Sequence, residues 1–62
     1  MAYIKHKNSY EIGERTTTTV IHESFGGYFE IGTEVTVIGI GDRGYDIKDD
    51  EGNRICEIGW KI

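Results

Sequence analysis

The chain has 62 residues, nine glycines, no proline, one cysteine and a formal net charge of −4. A length like this holds one domain near the lower limit for independent folding, which excludes a two-domain enzyme. A single cysteine excludes an intrachain disulfide, the acidic balance disfavours non-specific binding to nucleic-acid phosphates, and glycine without proline excludes collagen-like and PxxP segments.

Residues 1–15 read as an N-terminal extension, extended or partly disordered, ahead of a domain spanning residues 16–62. Asn8-Ser9 interrupt residues 2–12, the only stretch able to start a helix; elsewhere no helical periodicity runs ten residues without a glycine. The segment around Lys5, His6 and Lys7 lacks the apolar stretch of a signal peptide, and no run reaches the roughly 18 apolar residues of a membrane helix. The expected compartment is therefore the cytoplasm, which a lone thiol fits. Lys5, Lys7 and Arg15 outweigh Glu11 and Glu14 by one charge in residues 1–22, whereas residues 23–62 carry a net −5. The N-terminal segment is thus the place for a local basic patch, set against the plainer reading of a solvated tail.

Residues 16–23, opening on Thr16 and closing on Glu23, are rich in β-branched side chains and predict one exposed or edge strand. Ser24-Phe25-Gly26-Gly27 then predicts a tight turn, since paired glycines supply positive φ. From Tyr28 the chain leads into residues 34–40, where Val35 and Val37 alternate with Glu34 and Thr36. Ile38 and Ile40 then fall on the other face, so the strand is expected to bend, with a bulge at Gly39. Gly41-Asp42-Arg43-Gly44 predicts a turn, Tyr45-Asp46-Ile47-Lys48 a strictly alternating strand, and Asp49-Asp50-Glu51-Gly52-Asn53 a second hairpin turn. Residues 54–58 pair back. Cys56, Ile58, Trp60 and Ile62 fall at period two and predict one apolar face with a buried, inert thiol, leaving Ile55 on the polar face.

These elements add up to an all-β domain of five short strands, expected to form a small barrel or sandwich because an open sheet of this size leaves edges unpaired. The expected core is Val20, Phe29, Val35, Val37, Ile40, Tyr45, Ile47, Ile58 and Trp60. Phe29-x-x-Gly32-Thr33-x-Val35-x-Val37, then Tyr45-x-Ile47-x-Asp49, the Gly52-Asn53 turn and the closing Gly59-Trp60 resemble an SH3-like small β-barrel over residues 29–62. The resemblance is to a superfold shared by SH3, bacterial SH3, Tudor and KOW-type modules, and implies a fold without an activity. The acidic specificity loop, the tryptophan pair and the groove proline of eukaryotic SH3 domains are missing, so no site residue follows from it.

Motifs with chemical promise yield to their contexts. Gly39-Ile40-Gly41-Asp42-Arg43-Gly44 matches G-x-G-x-x-G, yet a strand pattern follows it where a dinucleotide site needs a helix. Asp46, Asp49, Asp50 and Glu51 form an acidic cluster, but counting back from Gly52 puts Ile47 where an EF-hand loop needs Asp. His6, His22 and Cys56 lack zinc spacing, and no local signature joins Cys56, His22 and Asp46 into a nucleophile, base and orienting acid. The expectation is a non-enzyme with no cofactor and no metal site.

The aromatics remain. Phe25 and Tyr28 flank the Gly26-Gly27 turn, where burial is least assured, and suit contact with a protein or peptide, with Tyr10 or Tyr3 contributing from the N-terminal segment. The expected function is a protein- or peptide-binding module, of the kind a small bacterial or phage accessory protein would be. The alternatives are a nucleic-acid-binding barrel using Lys5, Lys7, Arg15 and Arg43, and a self-associating protein that pairs its threonine-rich strand, residues 16–23, with that of a second copy.

Overall fold

The computed structural model of the chain describes residues 10–25 and 27–62. These residues form six strands: β1 (Arg15–Thr17), β2 (His22–Ser24), β3 (Gly27–Phe29), β4 (Glu34–Gly41), β5 (Gly44–Asp49) and β6 (Arg54–Ile55). Four make one antiparallel sheet in the order β1-β4-β5-β6, and β2 with β3 forms a separate antiparallel hairpin. The all-β class stands. The expected five strands become six, in sheets of four and two that do not close into one barrel. Of the expected N-terminal extension, residues 1–15, the first nine lie outside the described residues, while Tyr10 packs against the core and Arg15 opens β1. Among the described residues no helix is long and apolar enough to cross a membrane.

The extra strand comes from the threonine run. Residues 16–23 do not form one edge strand; β1 ends at Thr17 and β2 begins at His22. Thr18 causes the break, because its side chain turns inward and is 2% exposed. Its Oγ1 donates to the Glu30 carbonyl at 2.7 Å and accepts from the Thr33 amide at 3.0 Å. Its backbone amide donates to Thr33 O, and its carbonyl accepts from Gly32 N, both at 2.9 Å. One buried threonine thus fastens the turn between β3 and β4, whose Gly32 takes φ +92°. A hydroxyl between two backbone partners leaves no buried polar group unpaired, the condition under which a threonine belongs in an interior.

The long β4–β5 ladder follows the expected pattern. Val37 opposes Ile47, and the register then shifts so that Gly39 opposes Asp46 and Ile40 opposes Tyr45. The bulge absorbs Ile38 and returns Ile40 to the face of Val37 and Ile47, instead of leaving it on the opposite one. Gly39 is where a side chain would collide: a Cβ there would lie 2.7 Å from Asp46 Oδ2. That vacancy lets Asp46 Oδ1 accept the Glu57 amide at 2.9 Å. The two hairpin turns also form where glycine and aspartate predict them. Asp49 Oδ1 accepts the amides of Glu51 and Asn53, and Gly52 supplies φ +91°.

After β6 the sequence pattern misleads. Glu57 takes φ +57°, a left-handed conformation rare for a residue with a side chain. The chain therefore turns instead of continuing a strand, and the expected period-two face dissolves. Ile55 is buried where the polar face was expected, Cys56 is exposed where a buried thiol was expected, and Trp60 stays 46% exposed. The turn carries Ile58-Gly59 back along β5, where Tyr45 N donates to Gly59 O and Ile58 N to Tyr45 O, each at 3.0 Å. Gly44 and Gly59 form a parallel bridge there.

The resulting core is Phe29, Val35, Val37, Tyr45, Ile47, Ile55 and Ile62, with Tyr10 and Ile58 packed against it. Five of the nine expected residues are in this core; of the others, Ile40 and Trp60 are exposed at the end of the sheet, and Val20 and Ile58 are half-buried. Ile62 enters the core while its carbonyl accepts from Thr19 N at 2.7 Å and lies 3.3 Å from His22 Nε2.

Candidate functional site

The β2–β3 hairpin lies against β6. A Cβ on Gly27 would meet Asn53 Cβ at 3.8 Å and Ile55 Cγ1 at 3.9 Å, so glycine lets the hairpin settle closely. His22 pairs with Phe29 and both are buried, which fixes that face of the hairpin on the core. Strand alternation then sends Glu23 and its partner Tyr28 to the opposite, solvent face. Tyr28 is 52% exposed, Ile21 54% and Phe25, beyond the last pair Ser24–Gly27, fully so at 112%. Glu23 and Glu30 are exposed alongside them. The hairpin thus presents apolar and aromatic groups between two carboxylates, and residues 21–31 contain no lysine or arginine.

The expected site residues separate into two places. Phe25 and Tyr28 share the hairpin. Tyr10 packs edge-on to Tyr45, with ring centroids 5.6 Å apart, and its amide donates to the Tyr45 hydroxyl at 2.9 Å. Tyr45 in turn meets Trp60 edge-on at 5.2 Å. The hairpin lies against Asn53 and Ile55, whereas Tyr10 stacks on Tyr45 and through it on Trp60. Tyr10 is therefore part of a separate aromatic stack packed on the core, and Tyr3 lies outside the described residues. Ile21, Glu23 and Glu30 are surface residues that attention to aromatics alone passes over. Their signal is the alternation of Ile21, Glu23 and Phe25 leading into the turn.

The basic residues of the nucleic-acid reading fare differently. Lys5 and Lys7 lie outside the described residues, and Arg43 is exposed at the β4–β5 turn. Arg15 forks onto Asp50, with Nη1 to Oδ1 at 2.8 Å and Nη2 to Oδ2 at 3.2 Å, and reaches Glu34 at 2.9 Å. The hydrogen bonds from Arg15 hold the Asp50 carboxyl below its ordinary range, while Asp50 and Glu34 push the guanidinium further up. Asp49 is also held low, chiefly by the Asn53 side-chain amide. Of these groups, Glu34, Asp49 and Asp50 join Thr33 and Glu51 in lining an open depression. Among the described residues no group of three or more His, Cys, Asp or Glu side chains is placed to hold a metal ion. Neither a protein-family model, nor a curated protein, nor a solved structure matches this chain.

Proposed function

We propose that the chain is a protein- or peptide-binding module of SH3-like small-barrel type that docks through the solvent face of the β2–β3 hairpin. The observation that carries this reading is the exposure of Phe25, Tyr28 and Ile21 on a hairpin whose other face is anchored by buried His22 and Phe29. Aromatic side chains held on a supported scaffold lose little entropy on binding and supply most of the energy of typical interfaces. The arrangement of short antiparallel strands around one core supports the barrel-like assignment. Pairing of Arg15 with two carboxylates weighs against nucleic acid, since a phosphate would have to displace both carboxylates and enter a locally negative field to reach the guanidinium. Catalysis is outside the proposal.

The test is co-purification from the native host with the wild type and with Phe25→Ala/Tyr28→Ala. Loss of a specific partner from the double variant, with its melting temperature retained, supports docking through the hairpin. Undiminished recovery of the same partner refutes it.

A further inference from the structure

Resting on this reading, we infer the chemistry of the partner: a protein surface with an apolar cleft for Phe25 and Tyr28, rimmed by lysine or arginine side chains. Charge complementarity calls for the basic rim. Glu23 on β2 is the cross-strand partner of Tyr28, and Glu30 follows Tyr28 by two residues just past the end of β3, so carboxylates flank the exposed aromatic on two sides. With no cation among residues 21–31, nothing within the hairpin sequence neutralises them. A partner that covers Tyr28 must also cover or face these carboxylates, and it avoids the cost of stranding them only by offering positive groups. The same pair disfavours a second copy docked hairpin to hairpin, which would bring like charges together, and disfavours anionic membranes or nucleic acid at this face. The other acidic region, around Glu34 and Asp50, differs because Arg15 already spans it.

The experiment titrates ¹⁵N-labelled full-length chain with three synthetic amphipathic peptides of equal length: leucine/lysine, leucine/glutamine and leucine/glutamate. Amide shifts locate the contact, and the titration gives its affinity. The inference expects the leucine/lysine peptide to bind tightest, with shifts concentrated at residues 21–30. Two exposed charge pairs are worth about a five-fold change together, so Glu23→Gln/Glu30→Gln should weaken that peptide by about five-fold and leave the glutamine peptide unchanged. Phe25→Ala should weaken both by about ten-fold or more. Equal binding of the lysine and glutamine peptides at the hairpin overturns the basic rim and leaves the docking reading standing. Shifts confined to residues 49–51, or no binding by any peptide, overturn both. All three substitutions are at exposed positions, and unchanged thermal unfolding confirms that each variant folds.

Discussion

Replacing Gly44 by alanine should do far more damage than replacing Gly52, although both glycines have positive φ. Gly44 takes φ +125° and Gly52 φ +91°. Either change forces a side chain into a backbone region that costs about 1–2 kcal/mol. At Gly52 that is the whole effect, because a Cβ there meets nothing within 4 Å. At Gly44 the Cβ would lie 2.1 Å from the Gly59 carbonyl oxygen. Backbone atoms cannot approach that closely, so the Ile58-Gly59 segment must move off β5. Moving it breaks two backbone hydrogen bonds at Tyr45, each worth about 1 kcal/mol net, and parts Trp60 from Tyr45 at about 1 kcal/mol more. The expected loss is about 4–5 kcal/mol, against a total stability of roughly 3–9 kcal/mol for a chain of this size. Thermal and urea unfolding followed by circular dichroism should show Gly44→Ala largely unfolded or melting about 30 °C or more low, and Gly52→Ala melting only about 8–16 °C low. Losses within about 1 kcal/mol of each other would refute the account of how the C-terminal segment closes on β5.

Thr18→Val, which keeps the shape and removes the hydroxyl, should cost about 1–2 kcal/mol through the two hydrogen bonds lost, since the Glu30 carbonyl still accepts from Thr33 Oγ1 at 2.6 Å and from the Thr33 amide at 3.2 Å; Thr17→Val, at an exposed position, should be near neutral in the same urea titration. Ile55→Ala and Ile62→Ala should each cost about 2–5 kcal/mol, comparable to Val-to-Ala or Ile-to-Ala changes deep in the β4–β5 ladder, and Trp60→Ala should cost less than either. The folded-state pKa values of Asp49 and Asp50 are lowered, so their stabilisation is complete above the ordinary aspartate pKa near ~3.9 and is lost as pH falls below it toward the folded values. Urea midpoints at pH 7, 4 and 2.5 should therefore fall on acidification, and fall less steeply for Asp49→Asn, which keeps an acceptor oxygen but cannot titrate there. Identical slopes for the two proteins would remove Asp49 from the explanation.

The parts of the fold legible in the sequence are those fixed by local chemistry. The Gly39 bulge, the Asp42-Arg43 hairpin and the Asp49 turn each depend on residues within a few positions of one another, and each forms as its glycines and aspartates suggest. The threonine run is different. Nothing in four consecutive threonines says that the third turns inward, because its partners, Glu30 and Thr33, are 12 and 15 residues away. The C-terminal face fails for a similar reason: Glu57 adopts a conformation the sequence gives no cause to expect, supported by the distant Asp46 carboxylate. Once the chain turns there, period two no longer applies, Ile55 goes in and Cys56 and Trp60 come out. The candidate surface divides along the same line. Phe25 and Tyr28 were legible beside their glycine turn, whereas Tyr10 reads as a loose aromatic until Tyr45, 35 residues on, takes it up.

The central claim, that the hairpin's solvent face is the docking surface, is tested most directly by site-specific photo-crosslinking in the native host. A photoreactive phenylalanine analogue is placed at position 25 in one protein and at position 40, exposed at the far end of the sheet, in another. The account predicts a discrete crosslinked partner from position 25 and none from position 40. A partner captured from position 40 alone would contradict it.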